Sequence, residues 1–268
     1  RNVKIRFVLD SGTDTAKAKA LLACKPSSGR SSDKPEMMLR GNTSGIGYAH
    51  NKIMIFNPQS SGEVRLVFSS GNLSSGVVVH HENWHFVKAS ADTNFIQSHL
   101  CLMNGMIDHA ESASQYKSFI ASCRSEIESE VEEDIQTFFV PGEGEEATQA
   151  IKDRLFGNRS LGISAAKHVS IAAHRFSYTK LIEMLGERLD SGRTSVELVT
   201  DDDTYWVGTT GEQVGSNMIG EYRAIQKLRK KGMDVKWLET NHGQKLLHHN
   251  KFIIFDDEAV FAGAGNLT

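Results

Sequence analysis

His50-Asn-Lys-Ile-Met-Ile-Phe-Asn57 returns later in the chain as His249-Asn-Lys-Phe-Ile-Ile-Phe-Asp256, and this repetition decides the fold. In both places a His-x-Lys leads into four apolar residues rich in β-branched and aromatic side chains, which read as a buried strand. Downstream, Leu66-Val-Phe-Ser-Ser-Gly-Asn-Leu-Ser74 matches Val260-Phe-Ala-Gly-Ala-Gly-Asn-Leu-Thr268, with a loop five residues longer in the first copy, around Pro58 to Glu63. Upstream, Val3-Lys-Ile-Arg-Phe-Val-Leu-Asp10 resembles Ser195-Val-Glu-Leu-Val-Thr-Asp201. Three blocks in the same order mark an internal duplication.

Strand patterns fall at 3–9, 52–57, 64–68, 77–80, 84–88, 168–173, 195–200, 234–238, 251–255 and 259–262. Helical periodicity covers about 14–23, 92–107, 109–132, 146–155, 178–190 and 217–231, and Lys230-Lys231-Gly232 is a helix stop. Alternation of this kind predicts an α/β fold of two pseudo-symmetric halves, each a mixed β-sheet flanked by helices. Val140-Pro-Gly-Glu-Gly-Glu-Glu146 supplies the boundary, giving an N-terminal half at 1–140 and a C-terminal half at 141–268. The second half carries strand-helix material at 137–193 before its Asp201 strand, which the first half lacks. The first half continues past Asn72, whereas the second stops at Thr268. The sequence therefore reads as a segment of a longer protein.

With 268 residues, 39% of them hydrophobic, the chain is long enough for one large domain or two small ones. A net charge of −3 gives no global basic field of the kind that marks nucleic-acid binders. No run approaches the roughly 18 apolar residues of a membrane span. Of three cysteines, Cys24, Cys101 and Cys123, none has zinc-site spacing. Cys101 and Cys123 lie in neighbouring helical patterns, where one disulfide and two buried thiols fit equally.

Residues i and i+2 of a strand share a face, so His50 points with Lys52 and His249 with Lys251. An imidazole beside an ammonium suits phosphoryl chemistry: the first attacks phosphorus or protonates a leaving oxygen, and the second stabilises charge on the non-bridging oxygens. One copy offers a single acid–base group. Two copies offer a nucleophile and a general acid. Asn72 and Asn266 close the two motifs and can donate amide hydrogen bonds to the same phosphoryl group.

The paired His-x-Lys motifs, each followed by a Gly-Ser-x-Asn-like segment, make the chain similar to the phospholipase D superfamily, and the resemblance covers nearly its whole length. It implies two halves around a pseudo-twofold axis with one site between them, a covalent phosphohistidine and no metal or other cofactor. By analogy His50 is the nucleophile and His249 the acid. It implies a phosphodiester substrate, phospholipid head group first, with a metal-independent nuclease or tyrosyl-DNA phosphodiesterase-like activity as the alternative and an inactive binding module as the second. Both motifs in one chain fit a monomer, and a secreted or periplasmic location is slightly favoured. Three departures stand out. Asn57 replaces the usual motif Asp, which Asp256 keeps in a structural role. Ser70 is matched by Ala264, which loses a hydroxyl. Glu82 resembles the family glutamate that orients an imidazole, at a spacing one residue short.

His81-Glu-Asn-Trp-His85 also matches the zincin pattern, which works only on a helix. Its flanks Val77-Val-Val79 and Phe86-Val87 read as strand, so no zinc is expected, and His80 and His85 read as cleft lining or satisfied polar residues. Gly41-Asn-Thr-Ser-Gly-Ile-Gly47 lacks the Lys-Ser/Thr of a P-loop and reads as a rim loop. Lys227 to Lys231 read as a solvated helix end. Asp201-Asp-Asp-Thr-Tyr-Trp206 reads as a loop whose two aromatics stack on a base, touch a lipid surface or cap the core.

Overall fold

In Ser195-Val-Glu-Leu-Val-Thr-Asp201 every second residue from Val196 faces the same way, and the computed structural model buries Val196, Leu198 and Thr200 together. It describes residues 4–12, 15–23, 25, 29–30, 34–41, 47–109, 112–128, 134–210, 217–239 and 246–268. The strands are β1 (Arg6–Asp10), β2 (Glu36–Arg40), β3 (Ile53–Phe56), β4 (Glu63–Ser69), β5 (Trp84–Ser90), β6 (His168–Ala173), β7 (Ser195–Asp201), β8 (Asp234–Leu238), β9 (Lys251–Phe255) and β10 (Ala259–Ala262). The helices are α1 (Thr15–Leu22), α2 (Asn94–Asp108), α3 (Ala113–Ser125), α4 (Gly144–Phe156), α5 (Thr179–Asp190), α6 (Asp202–Thr210) and α7 (Asn217–Lys230). The fold is α/β, with sheets β1-β2, β3-β4-β5 and β10-β9-β6-β7-β8.

The chain divides into two compact units: Arg1–His50, Phe56–Arg65 and Lys88–Gly144 form the first, and Asn51–Ile55, Leu66–Val87 and Glu145–Thr268 the second. In the first unit β1 and β2 run parallel. Helices α2 and α3 start on hydroxyl caps, Thr93 accepting from Ile96 N–H and Ser112 from Gln115 N–H. They bury Phe95, Ile96, Leu102, Tyr116 and Ile120 and carry a disulfide between Cys101 and Cys123, resolving a pairing that spacing left open.

In the second unit β6, β7 and β8 are parallel, while β9 runs antiparallel to both β6 and β10. Leu181, Leu185 and Leu189 repeat every four residues along α5 and pack with Leu198, Ile225 and Phe176. Lys251, Ile253 and Phe255 form the buried face of β9. The first-copy strand β3 is different: its residues are half-buried and Phe56 is exposed. Position explains this: among the described residues β3 is an edge strand, whereas β9 has neighbours on both sides.

Three expectations change. Residues 77–80 are not a strand: Ser75–Val78 is a 3₁₀ turn, whose Gly76 carbonyl accepts from Val79 and His80. The close approach of the His80 ring to Gly76 leaves no room there for a Cβ. β2 was not expected, because Glu36-Met-Met-Leu-Arg40 lacks alternation. Asp201 to Trp206 is mostly helix α6, with Asp202 and Asp203 in its first turn, where acidic residues suit the helix dipole. Tyr205 there packs against Trp237 and Tyr222, which is the core-capping role. Among the described residues no helix is long and apolar enough to cross a membrane.

Candidate active site

The two histidine–lysine pairs lie where the chain enters a strand. Lys251 is the first residue of β9 and His249 lies just before it; Lys52 immediately precedes β3. Each motif Asn or Asp ends its strand with a positive φ, 57° at Asn57 and 52° at Asp256, the left-handed region that these two residue types tolerate best. The Asp256 carboxylate accepts the backbone N–H groups of Lys167 and His168 at 2.9 and 2.7 Å, so it pins the strand end and is spent on structure. Corresponding backbone bonds join the two blocks of each copy: Ser69 N–H to the Lys52 carbonyl at 3.1 Å, and Gly263 N–H to the Lys251 carbonyl at 3.3 Å.

The second unit gathers Lys52, Ser70, Glu82, His249 and Lys251. The His81 segment runs beside 247–249: His81 N–H donates to the Leu247 carbonyl, and His249 N–H to the His81 carbonyl at 2.8 Å. That places Glu82, whose side chain is only 3% exposed, with Oε2 at 2.9 Å from His249 Nδ1. The Ser70 hydroxyl donates to the same oxygen at 2.7 Å. His80 Nδ1 lies 3.6 Å from Oε1. Gly71 packs closely here: a Cβ would lie 3.0 Å from the Glu82 carboxyl carbon and would press on that side chain. Asn83, unremarked in the sequence, accepts Lys251 N–H on Oδ1 at 3.0 Å and meets His85 Nε2 with its amide at 2.9 Å. His85 also stacks on Phe68. Residues 81–85 are extended, so His81 and His85 lack the shared helical face a zincin needs.

Electrostatics sharpen the picture. Burial lowers the pKa of Lys52 to about 8, against the raising influence of Glu82. Burial likewise lowers Lys251 to about 7, with Glu82 opposing and Lys52 adding to the effect. His249 is pushed down by burial and by Lys251, and held up by its hydrogen bond to Glu82. His174, another residue missed in the sequence, has its ring centroid 4.9 Å from that of His249, and burial lowers its pKa to about 3. It is therefore a neutral imidazole beside His249. Asn266 Oδ1 is buried and has no hydrogen-bond partner among the described residues. Asn72 is exposed in the turn after β4. His50 is exposed and belongs to the first unit, where the residue before it, Ala49, is held by Asp10 at 2.8 Å.

A carboxylate–imidazole pair beside two lysines can hold an anion and move a proton at one ring nitrogen. Residues 163–268 match the family model described as cardiolipin synthase, PLD-like domain. Among solved structures, polyphosphate kinase from Porphyromonas gingivalis superposes with a TM-score of 0.52 at 11% identity, over 98% of this chain and 36% of that one. Phosphatidylserine synthase from Haemophilus influenzae Rd KW20 gives 0.51 at 13% identity, over 87% of this chain and 57% of that one. The yeast tyrosyl-DNA phosphodiesterase gives 0.45 at 13%, over 98% and 73%. The chain thus spans 36% and 57% of the first two, and the likeness is one of fold. No curated protein matches the sequence.

Proposed function

We propose that this chain, whose residues 163–268 match the PLD-like domain model, is a phosphodiesterase of the phospholipase D superfamily that works through a phosphohistidine on a phospholipid head group. The observation that carries the reading is the buried Glu82 carboxylate on Nδ1 of His249, felt by two buried lysines of depressed pKa. With Nδ1 committed to Glu82, Nε2 is the nitrogen left for proton transfer. An entering phosphodiester adds negative charge beside two lysines that already face Glu82.

In the proposed sequence, His50 attacks phosphorus; an N–P bond forms as the bond to the leaving alcohol oxygen breaks, and His249 gives that oxygen its proton. His249 then takes a proton from water or an acceptor alcohol, whose oxygen displaces His50 from phosphorus. Lys52, Lys251, Asn72 and Asn266 hold the non-bridging oxygens, while Ser70 keeps Glu82 in place. Each half, 1–140 and 141–268, contributes one His-x-Lys, and a monomer is the proposed working form. The head-group assignment is supported by the lipid synthase that names the matched family and by the absence of a net basic charge. The Cys101–Cys123 disulfide favours an oxidising, secreted or periplasmic setting.

The test sets a short-chain phosphatidylcholine beside single- and double-stranded DNA, each with excess EDTA. Release of choline or its transfer to an added alcohol is expected. Cleavage of DNA with the lipid untouched reassigns the chain as a nuclease, and inertness toward all three makes it a binding module.

A further inference from the structure

Asp10 and Asp201 end equivalent strands, β1 and β7, and they make the same pair of hydrogen bonds. Asp10 Oδ1 accepts the N–H of Gly12, two residues on, at 2.8 Å; Asp201 Oδ1 accepts that of Asp203, also two residues on, at 3.0 Å. The second oxygen reaches a distant segment. Asp10 Oδ2 takes Ala49 N–H at 2.8 Å, and Asp201 Oδ2 takes His248 N–H at 2.7 Å. Ala49 and His248 are the residues immediately before His50 and His249.

From this matched geometry we infer that Asp10 and Asp201 are positioning residues, each fixing the peptide just ahead of its own active-site histidine; the inference rests on the histidine roles proposed above. A peptide held at its N–H by a charged acceptor cannot rotate freely, and charge-assisted bonds of this kind are the stronger class. The gripped N–H lies in the peptide joining residues 48 and 49, or 247 and 248, so its plane fixes the Cα of Ala49 or His248, the residue from which the histidine follows. The partner is a backbone group in both copies, so the side chain there is free to differ, and it does: Ala in one copy, His in the other. The carboxylate is the invariant part of the device within this chain.

Each copy adds its own support. In the second, the His249 N–H is taken by the His81 carbonyl and the Lys251 N–H by Asn83 Oδ1, so the peptides at 248, 249 and 251 are all gripped. Asp201 is 1% exposed, out of reach of competing water. In the first, Gly41, at φ +81°, lies across the Asp10–Ala49 bond: a Cβ there would sit 2.6 Å from Ala49 N and 2.8 Å from Asp10 Oδ2. Only glycine lets that bond form under the β2 end.

The experiment compares Asp10→Ala, Asp201→Ala and the two Asp→Asn variants in the full chain. It follows the imidazole nitrogen NMR signals of His50 and His249 together with kinetics on short-chain phosphatidylcholine. Asp10→Ala should move the His50 signals alone, and Asp201→Ala those of His249 alone. Each should lower kcat about 100-fold with KM within about twofold, as displaced reacting groups do. The Asn variants keep one acceptor oxygen for two N–H donors and should lie between, and they carry the same reading should an Ala variant fail to fold. Unmoved imidazole signals in folded variants, or a loss confined to KM, overturn the inference. Signals that move as stated in a chain that leaves the lipid intact keep the positioning role and remove the proposed substrate.

Discussion

Glu82 has exchanged water for a serine hydroxyl, the His249 ring and, at longer range, the His80 ring. A carboxylate that deep is costly to bury unless such partners replace its hydration. It also raises the pKa of Lys52, Lys251 and His249. Glu82→Gln preserves shape and removes the charge, leaving burial and the neighbouring cations unopposed. The His249 pKa then falls further. The leaving group needs a protonated His249, which exists only below that pKa, so the high-pH limb of kcat/KM should move to lower pH. Turnover near neutrality should fall by about 100-fold or more, the usual share of a general acid. A pH–rate profile reads both effects, and a limb that stays in place contradicts this role for Glu82. Glu82 was legible in the sequence only through a family resemblance, at a spacing one residue off. Asp201 and Asn83 were not legible. Their partners are backbone N–H groups 47 and 168 residues away, and a backbone group leaves no mark on residue type.

Among the elements, α2 and α3 show what pattern can and cannot decide. Their apolar periodicity was readable, but their hydroxyl caps were not read, and the disulfide between them depends on how the helices lie against each other, which Cys101 and Cys123 alone left open. Closing a separation of 22 residues restricts the unfolded chain by roughly 3 kcal/mol. Cys101→Ala, or reduction, should therefore lower the thermal midpoint of unfolding by roughly 6–12 °C while choline release at room temperature is retained. An unchanged midpoint in calorimetry would show that the cross-link carries no stability. The strand expected at 77–80 failed for a related reason. Val77-Val-Val79 has the composition of a strand, yet Gly76 and the His80 ring close a tight turn there. β-Propensity describes fit to a neighbouring strand, and none pairs with this segment among the described residues.

For the molecule as a whole, the α/β class and the order of strands around each His-x-Lys followed from the repeated blocks. The unequal burial of β3 and β9 did not, because the two sequences are nearly alike and the difference comes from edge and interior positions in their sheets. In the proposed reaction two histidines divide the work, one attacking phosphorus while the other protonates the leaving oxygen, and that division passes the phosphoryl group through a covalent enzyme form. The direct measurement is acid-quenched turnover of a phospholipid labelled in the phosphoryl portion the enzyme retains, followed by peptide mapping. The account predicts label on His50, accumulating in His249→Ala where the acid–base partner of hydrolysis is gone. Label on His249 would exchange the two roles. A chain that turns over substrate with inversion at a chiral phosphorus and never carries label would contradict the phosphohistidine mechanism.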